Sequence, residues 1–170
     1  MTTTTKRITL LALVLILALS VFAFASCDSL LPENTDVIFE LNNNGTGYWV
    51  TKEGNFVAEE LTIPATHQDL PVVGVKANAF KNNKTIKTIT ITASGDFTVD
   101  VSAFQKCKAL QSLTIITTGK VELGNSAFSG CENLATVDIQ AKEVTIGTYT
   151  MEYADNLTIN VDADNLKIGG

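Results

Sequence analysis

The chain has 170 residues, of which 45% are apolar and only 18% are charged, a balance that excludes a disordered chain and indicates one folded domain. The formal net charge is −6, so the surface repels phosphate backbones and nucleic acid is not an expected partner. Aromatic residues make up 7% of the chain, which argues against a surface on which bases stack.

The segment 1–26 has the layout of a secretory signal. Lys6 and Arg7 precede an apolar run over positions 8–24, and small residues then lead to Cys27. This order of basic, apolar and small residues is typical of an export signal that is removed from the mature protein. A retained membrane helix is the alternative, because the apolar run is nearly long enough to span a bilayer.

The end of this signal resembles a bacterial lipobox, in which a cysteine is lipidated and becomes the first residue after cleavage. The matching sequence is Phe24-Ala25-Ser26-Cys27. The resemblance implies lipidation at Cys27 and attachment to a membrane through that lipid. We expect residues 27–35 to form a tether and the protein to be exported to the bacterial cell envelope, exposed at the cell surface.

Residues 36–60 predict a β-hairpin. Val37, Phe39 and Leu41 alternate with Ile38 and Glu40, Asn44-Gly45 interrupts the run, and a second strand-like segment follows at 48–51. Asn-Gly between two such segments is a strong hairpin signal. We expect this hairpin to cap the repeats that follow. Trp49 within it either packs against the first repeat or offers a platform to a ligand.

One pattern recurs at a constant interval within 61–170. Ala-Phe pairs recur at this interval, followed each time by apolar residues in register. The repeated residues include Phe80, Phe104 and Phe128, then Ile86, Leu110 and Leu134. A fixed period within the range of about 20 to 50 residues predicts a solenoid, because a single repeat cannot bury its apolar side without stacking on its neighbours. A fourth copy is degenerate, with Met151 in place of the phenylalanine.

The repeat resembles the BspA-type leucine-rich repeat. The residues that carry the resemblance are Leu61-Thr62-Ile63-Pro64, then Ala79-Phe80, then Ile86-Lys87-Thr88-Ile89-Thr90-Ile91. This resemblance implies a leucine-rich-repeat-like solenoid, mainly β with short helical turns, and a role in adhesion. We expect the three phenylalanines to stack inside it. Asn78, Ser102 and Ser126 are placed to start the helical turns by accepting a backbone hydrogen bond.

Cys107 and Cys131 occupy the same position of consecutive repeats. The resemblance makes them small buried residues of a turn. A disulfide between them is the alternative, since an exported protein folds under oxidising conditions. A metal site would need further ligands, which this segment lacks.

No arrangement of residues indicates catalysis. His67 is the only histidine and is predicted to be a solvated loop residue, with no nucleophile paired to it. Asp162-Ala163-Asp164-Asn165 begins like a calcium loop, but Leu166 stands where a third oxygen ligand belongs. We therefore expect neither an enzyme nor a cofactor or metal.

The outward positions of the repeated strands form the candidate binding face. Side chains alternate between the two faces of a strand, so isoleucines that point inward leave threonines pointing outward. Short hydroxyl residues also favour strands for conformational reasons alone. The residues of this face are Thr62, Thr88, Thr90, Thr92, Ser112, Thr114, Thr136, Asp138, Gln140, Thr158 and Asn160.

Two functions fit these features. The first is a non-catalytic surface module that binds an extracellular protein or a glycan through this face. The second is a structural or assembly subunit of the envelope that self-associates through its final strand, which ends near Ile168. An ice-binding surface fits less well, because Ile116 and Asp138 interrupt the threonine series.

Overall fold

The computed structural model describes residues 37–52 and 56–169, which belong to one compact unit. The predicted signal peptide, the predicted lipidation site Cys27 and the predicted tether lie outside the described residues. Within the described ranges, no helix is both long enough and apolar enough to cross a membrane.

The fold is built from short strands. In chain order they are β1 (Ile38–Leu41), β2 (Tyr48–Lys52), β3 (Glu60–Ile63), β4 (Thr66–His67), β5 (Leu70–Val75), β6 (Thr88–Ala93), β7 (Phe97–Val99), β8 (Ser112–Thr117), β9 (Lys120–Leu123), β10 (Thr136–Gln140), β11 (Glu143–Ile146), β12 (Thr158–Asp162) and β13 (Asn165–Ile168). They form a β-solenoid of five coils, where a coil is one repeat that contributes a strand to each of two sheets.

Two sheets form two sides of the solenoid. Sheet A has the order β1-β2-β5-β7-β9-β11-β13, and sheet B has the order β3-β6-β8-β10-β12. All neighbours are parallel except β1 with β2, the predicted hairpin, and the small β4–β5 pair. The hairpin thus extends sheet A at its first edge, where β2 pairs with β5.

The register of sheet B follows the sequence repeat. Thr88 pairs with Ser112 and Ser112 with Thr136, so that each step across the sheet equals one repeat along the chain. Glu60 pairs with Thr88 over a longer interval of sequence, because β4 and its turn are inserted in the first coil. Since the register keeps inward residues in columns, the apolar columns of the repeat are buried along β3, β6, β8 and β10.

The third side consists of turns, and its described residues include no helix, which differs from the expected short helical turns. Asn78, Ser102 and Ser126 adopt positive φ angles of 60°, 57° and 54°, so they do not begin helices. Their segments bond between coils, and the amides of Phe80 and Phe104 donate to the Ala103 and Ala127 carbonyls at 2.8 Å. The amides alternate along these segments, since those of Ala79 and Lys81 bond within the turn while those of Phe80 and Asn82 join neighbouring coils.

The interior confirms the predicted phenylalanine stack. The ring centroids of Phe80 and Phe104 are 5.0 Å apart and those of Phe104 and Phe128 are 5.2 Å apart, with the rings within 3° of parallel. Phe56 meets Phe80 edge to face at 6.3 Å and closes the first end of the stack. The second predicted core column is also fully buried, and it comprises Ile86, Leu110 and Leu134.

Candidate binding surfaces

The outer side of sheet B, called here the sheet B face, carries all eleven residues of the predicted binding face. Neighbouring strands place them in rows, so that Thr62, Thr90 and Thr114 lie beside one another. Asp138 and Asn160 continue this row, and the Asn160 amide donates to Asp138 Oδ1 at 2.7 Å. None of the eleven is buried, so the face is available to a partner.

The charge of the sheet B face has one sign. The five strands of sheet B contain no lysine or arginine. Their outward positions include three exposed acids, namely Glu60, Asp138 and Asp162. A shallow depression of about 400 Å³ lies between β10 and β12 and is lined in part by Asp138 and Asp162. The face therefore suits a partner that is neutral or basic.

The outer side of sheet A differs in composition. Near its last strands, Lys120 and Lys167 lie 3.9 Å and 3.1 Å from Glu143 Oε1, and Lys120 also lies 3.8 Å from Glu122. These exposed pairs contribute little stability each. Their charges cancel, so this part of sheet A has no net charge that would attract a charged partner.

Trp49 also lies on the outer side of sheet A. Its neighbour Val50 is fully buried, whereas Trp49 is half-buried. The indole rests on Gly74, where a Cβ atom would lie 2.5 Å from Trp49 Cζ3. Lys76 Nζ lies 4.8 Å from the centre of the ring. Of the two alternatives that the sequence left open, packing against the first repeat is confirmed by the contact of the indole with Gly74, and the rest of the ring lies on the outer side of sheet A.

His67 is part of an aromatic cluster rather than a solvated loop residue. It lies on β4, half-buried, with its ring stacked 4.1 Å from Phe39 and meeting Tyr48 edge to face at 4.8 Å. The Tyr48 hydroxyl in turn donates to Gln68 Oε1 at 2.8 Å. The insertion in the first coil therefore packs under the hairpin, which accounts for the single histidine structurally.

Cys107 and Cys131 are buried free thiols. Each donates to a carbonyl of the preceding coil, Cys107 to Phe80 at 3.1 Å and Cys131 to Phe104 at 3.2 Å. The alternative disulfide is not formed. Equivalent positions of stacked coils are separated by about 4.8 Å, which is wider than the Cβ separation of about 3.8 Å that a disulfide needs.

The hydrogen bond with Cys107 lowers the pKa of the Cys131 thiol, against the opposing effect of burial. Both thiols remain fully enclosed, so this lowered pKa does not make Cys131 accessible to reagents. In the first coil the same position holds Asn83, whose Oδ1 accepts from the Thr85 and Ile86 amides at 2.9 Å. No three His, Cys, Asp or Glu side chains are grouped for a metal within the described ranges.

Sequence reasoning missed the surroundings of Trp49, because the hairpin and Gly74 are separated along the chain. Gly74 interrupts an apolar run, Leu70-Pro71-Val72-Val73-Gly74-Val75. A glycine inside a strand signals close approach of another group. That signal was present in the sequence, but the identity of the approaching group was not.

The comparisons with known proteins agree with the solenoid. The model of the family described as "BspA type Leucine rich repeat region" matches residues 58–169 in six copies. Curated proteins gave no match to this chain. Among solved structures, a leucine-rich repeat protein from Bacteroides capillosus aligns with a TM-score of 0.51 and 20% identity, over 75% of this chain and 94% of that one.

Two further structures are more distant. A leucine-rich repeat protein from T. pallidum has a TM-score of 0.44 and 14% identity, over 79% of this chain and 84% of that one. A leucine-rich cell surface protein from Faecalibacterium prausnitzii has a TM-score of 0.38 and 16% identity, over 76% of this chain and 54% of that one. The family match covers most of the chain, and the chain therefore belongs to the BspA-type leucine-rich repeat family.

Proposed function

We propose that this protein is a non-catalytic binding module that holds an extracellular protein or glycan on the sheet B face, as an adhesin does. The observation that supports this most is the array of eleven polar side chains held in register on the outside of one parallel sheet. Leucine-rich repeat folds typically carry no catalytic activity, and solenoids commonly use extended surfaces for binding.

The sheet B face is pre-organised for binding. The strands beneath it are fixed by fully buried columns, among them Ile91, Ile115 and Ile139 at no more than 1% exposure. Serine and threonine side chains also lose little rotamer entropy when a partner orders them. A rigid surface of short side chains therefore binds at a lower entropic cost than one of long flexible side chains.

The charge of the sheet B face limits the kinds of partner that it can bind. Three outward acids without a basic residue on the same strands favour a partner whose surface is neutral or basic and presents hydrogen-bond donors.

The partner would lie outside the cell, because the proposal includes export and anchoring through lipidated Cys27. To test this anchor, cells that express the full-length chain are grown with radiolabelled palmitate. We expect the label to appear in the parent protein and to be absent from the Cys27→Ser variant.

A lysine scan of the sheet B face tests the binding role. The test variant carries three substitutions, Thr90→Lys, Thr114→Lys and Asp138→Lys. Together they place long cationic side chains across the central row of the face. We expect it to lose retention on immobilised extracellular matrix and on intact epithelial cells, with a melting temperature close to that of the parent protein. Thr90 and Asp138 are exposed and Thr114 is half-buried on the outer face, and substitutions on the surface usually change stability by no more than about 0.5 kcal/mol.

A matched control adds the same charge elsewhere. The control variant carries Asn82→Lys, Glu122→Lys and Asn165→Lys, all outside the sheet B face. A lysine is tolerated at the first of these positions, since Lys106 occupies it in the next coil. This control should bind as the parent protein does. If both variants lose binding equally, or neither does, the sheet B face is not the binding surface.

Self-association is a second candidate function, supported by the last coil. Ile159, Leu166 and Ile168 are 44%, 47% and 70% exposed, although their positions continue the buried columns of β10 and β11. Unpaired strand edges that carry apolar side chains tend to pair with other strands. An assembly subunit of the envelope would use this edge to join copies of itself.

Sedimentation velocity separates the two candidates. Assembly through the edge is supported if the parent protein associates as its concentration rises and the double variant Ile159→Lys, Ile168→Lys stays monomeric. The double variant should leave matrix binding unchanged if the sheet B face is the binding surface. A parent protein that stays monomeric at all concentrations rules out the assembly role.

A further inference from the structure

A second surface pocket lies on the hairpin, on the opposite sheet from the sheet B face. It is open, has a volume of about 540 Å³, and is lined by Trp49, Glu40, Lys76 and residues 41–44. This volume falls within the range of pockets that hold small ligands. The pocket lies outside the sheet B face and belongs to no role described above.

The floor of the pocket is an aromatic ring that the core does not need. Val50 fills the interior at this point of β2, and Trp49 faces outward beside Glu40 on the paired strand. Gly74 lies directly beneath the indole, and any side chain there would displace the ring. Gly74 thus supports the half-buried ring from below, and Lys76 Nζ lies over it at 4.8 Å from its centre, so a ligand that packs on the indole takes the place of this flexible exposed side chain.

The loop that walls the pocket is held by its own hydrogen bonds. Asn42 Oδ1 accepts from the Thr46 amide at 2.8 Å and from the Gly47 amide at 3.3 Å, while its Nδ2 donates to Thr46 Oγ1 at 3.2 Å. Gly45, with φ of 69°, provides the left-handed turn that closes the loop. Because the loop is ordered before binding, it loses little conformational entropy when a ligand arrives.

The rim of the pocket offers donors and acceptors together. Glu40 contributes carboxylate acceptors, Lys76 contributes an ammonium donor, and the Asn43 amide contributes both. Glu40 and Asn43 are both exposed. The opposite charges of Glu40 and Lys76 give the rim no preference for an anionic or cationic ligand.

We propose that Trp49 and the polar rim around it form a carbohydrate-binding site for a neutral oligosaccharide. A pyranose ring has an apolar face of C–H groups that packs on an indole, and hydroxyls around its edge that both donate and accept hydrogen bonds. The indole floor meets the first requirement and the rim of Glu40, Asn43 and Lys76 meets the second. This site is independent of the proposed role of the sheet B face.

Trp49 is the only tryptophan of the chain, so intrinsic fluorescence reports directly on the site. The probes are chitotriose, cellotriose and maltotriose, each titrated to about 10 mM, a range that covers a weak Kd on the order of 1 mM. We expect at least one of them to change the emission saturably. The same titration of the lysine variant of the sheet B face should give the same Kd, which separates this site from the proposed function.

Saturation-transfer NMR on the sugar protons tests the variants, because it does not depend on the tryptophan signal. Trp49→Ala should weaken binding at least about tenfold, and Asn43→Ala, which leaves the indole in place, should weaken it several-fold. Tyr149→Ala removes an aromatic ring that is 66% exposed on another side of the solenoid and should leave binding unchanged. The proposal is overturned if no probe gives a saturable signal, or if Trp49→Ala binds as the parent protein does.

Discussion

Phe104 lies at the centre of the phenylalanine stack. Its ring has a parallel neighbour on each side, Phe80 at 5.0 Å and Phe128 at 5.2 Å, and no part of it reaches solvent. Its amide also donates to the Ala127 carbonyl of the next coil at 2.8 Å. One residue therefore joins three coils through both side chain and backbone.

Truncation at this residue should be severe. We expect Phe104→Ala to lower the free energy of unfolding by about 3–5 kcal/mol, because the transfer of the ring is lost and a cavity remains between two rings that the backbone keeps apart. Urea denaturation followed by circular dichroism measures the change. Tyr149→Ala serves as the control and should stay within about 0.5 kcal/mol of the parent protein. A similar loss in both variants would mean that the stack is not the centre of stability.

At the scale of one element, the inserted β4 shows how the first coil differs from the others. The turn between β4 and β5 consists of Gln68 and Asp69, whose φ angles are 48° and 63°. Two consecutive left-handed residues match the twist of a short hairpin. The backbone bears a conformational cost there, since glycine adopts this region freely while asparagine and aspartate adopt it only occasionally and other side chains resist it.

Relieving that cost should stabilise the fold. Asp69→Gly is expected to raise the free energy of unfolding by a few tenths to about 1 kcal/mol, since the left-handed conformation is accessible to glycine without strain. Gln68 stays in place so that its hydrogen bond with Tyr48 is kept. Thermal denaturation monitors the shift in melting temperature.

Asp155→Gly provides the contrast. Asp155 is exposed and is absent from the residues with positive φ, so glycine there adds freedom to the unfolded chain without relieving strain. We expect a small loss of stability in this variant. An equal gain at both positions would argue against backbone strain as the cause of the effect at Asp69.

At the scale of the whole molecule, the coils are unequally buried. The inward residues of β8 and β10 are fully or almost fully buried, whereas every residue of β13 is exposed and β12 retains only one half-buried position. In a solenoid each coil is stabilised mainly by its neighbours. Among the described strands, β12 and β13 each have a neighbour on one side only.

Hydrogen exchange should reveal this gradient. We expect amides of β12 and β13 to exchange at least about tenfold faster than those of β8 and β9, because local opening of a coil with one neighbour costs less free energy than opening a central coil. Mass spectrometry of peptic peptides resolves the two regions. Equal protection along the solenoid would indicate one cooperative unit that includes the last coil.

The columns of the fold were predictable because they depend on spacing alone. The constant repeat interval placed Phe80, Phe104 and Phe128 in one stack, and period-two alternation placed Thr90 and Thr114 on the outer face. The conformation of the turns was not predictable in this way. A short apolar segment with an initial Asn or Ser favours a helical turn locally, and only the stacked neighbour supplies the carbonyls that bond alternate amides of the turn, such as those of Phe80 and Asn82.

The sequence by itself determined the repeat, the inward columns and the polar outer face, because these follow from residue identity at fixed intervals. Only the tertiary structure decided where Trp49 faces, that His67 stacks on Phe39, and that Cys107 remains a thiol. Each of these depends on which groups of different coils or of the hairpin come into contact. Contacts of that kind are set by the stacking distance and the register of the sheets, which no single repeat contains.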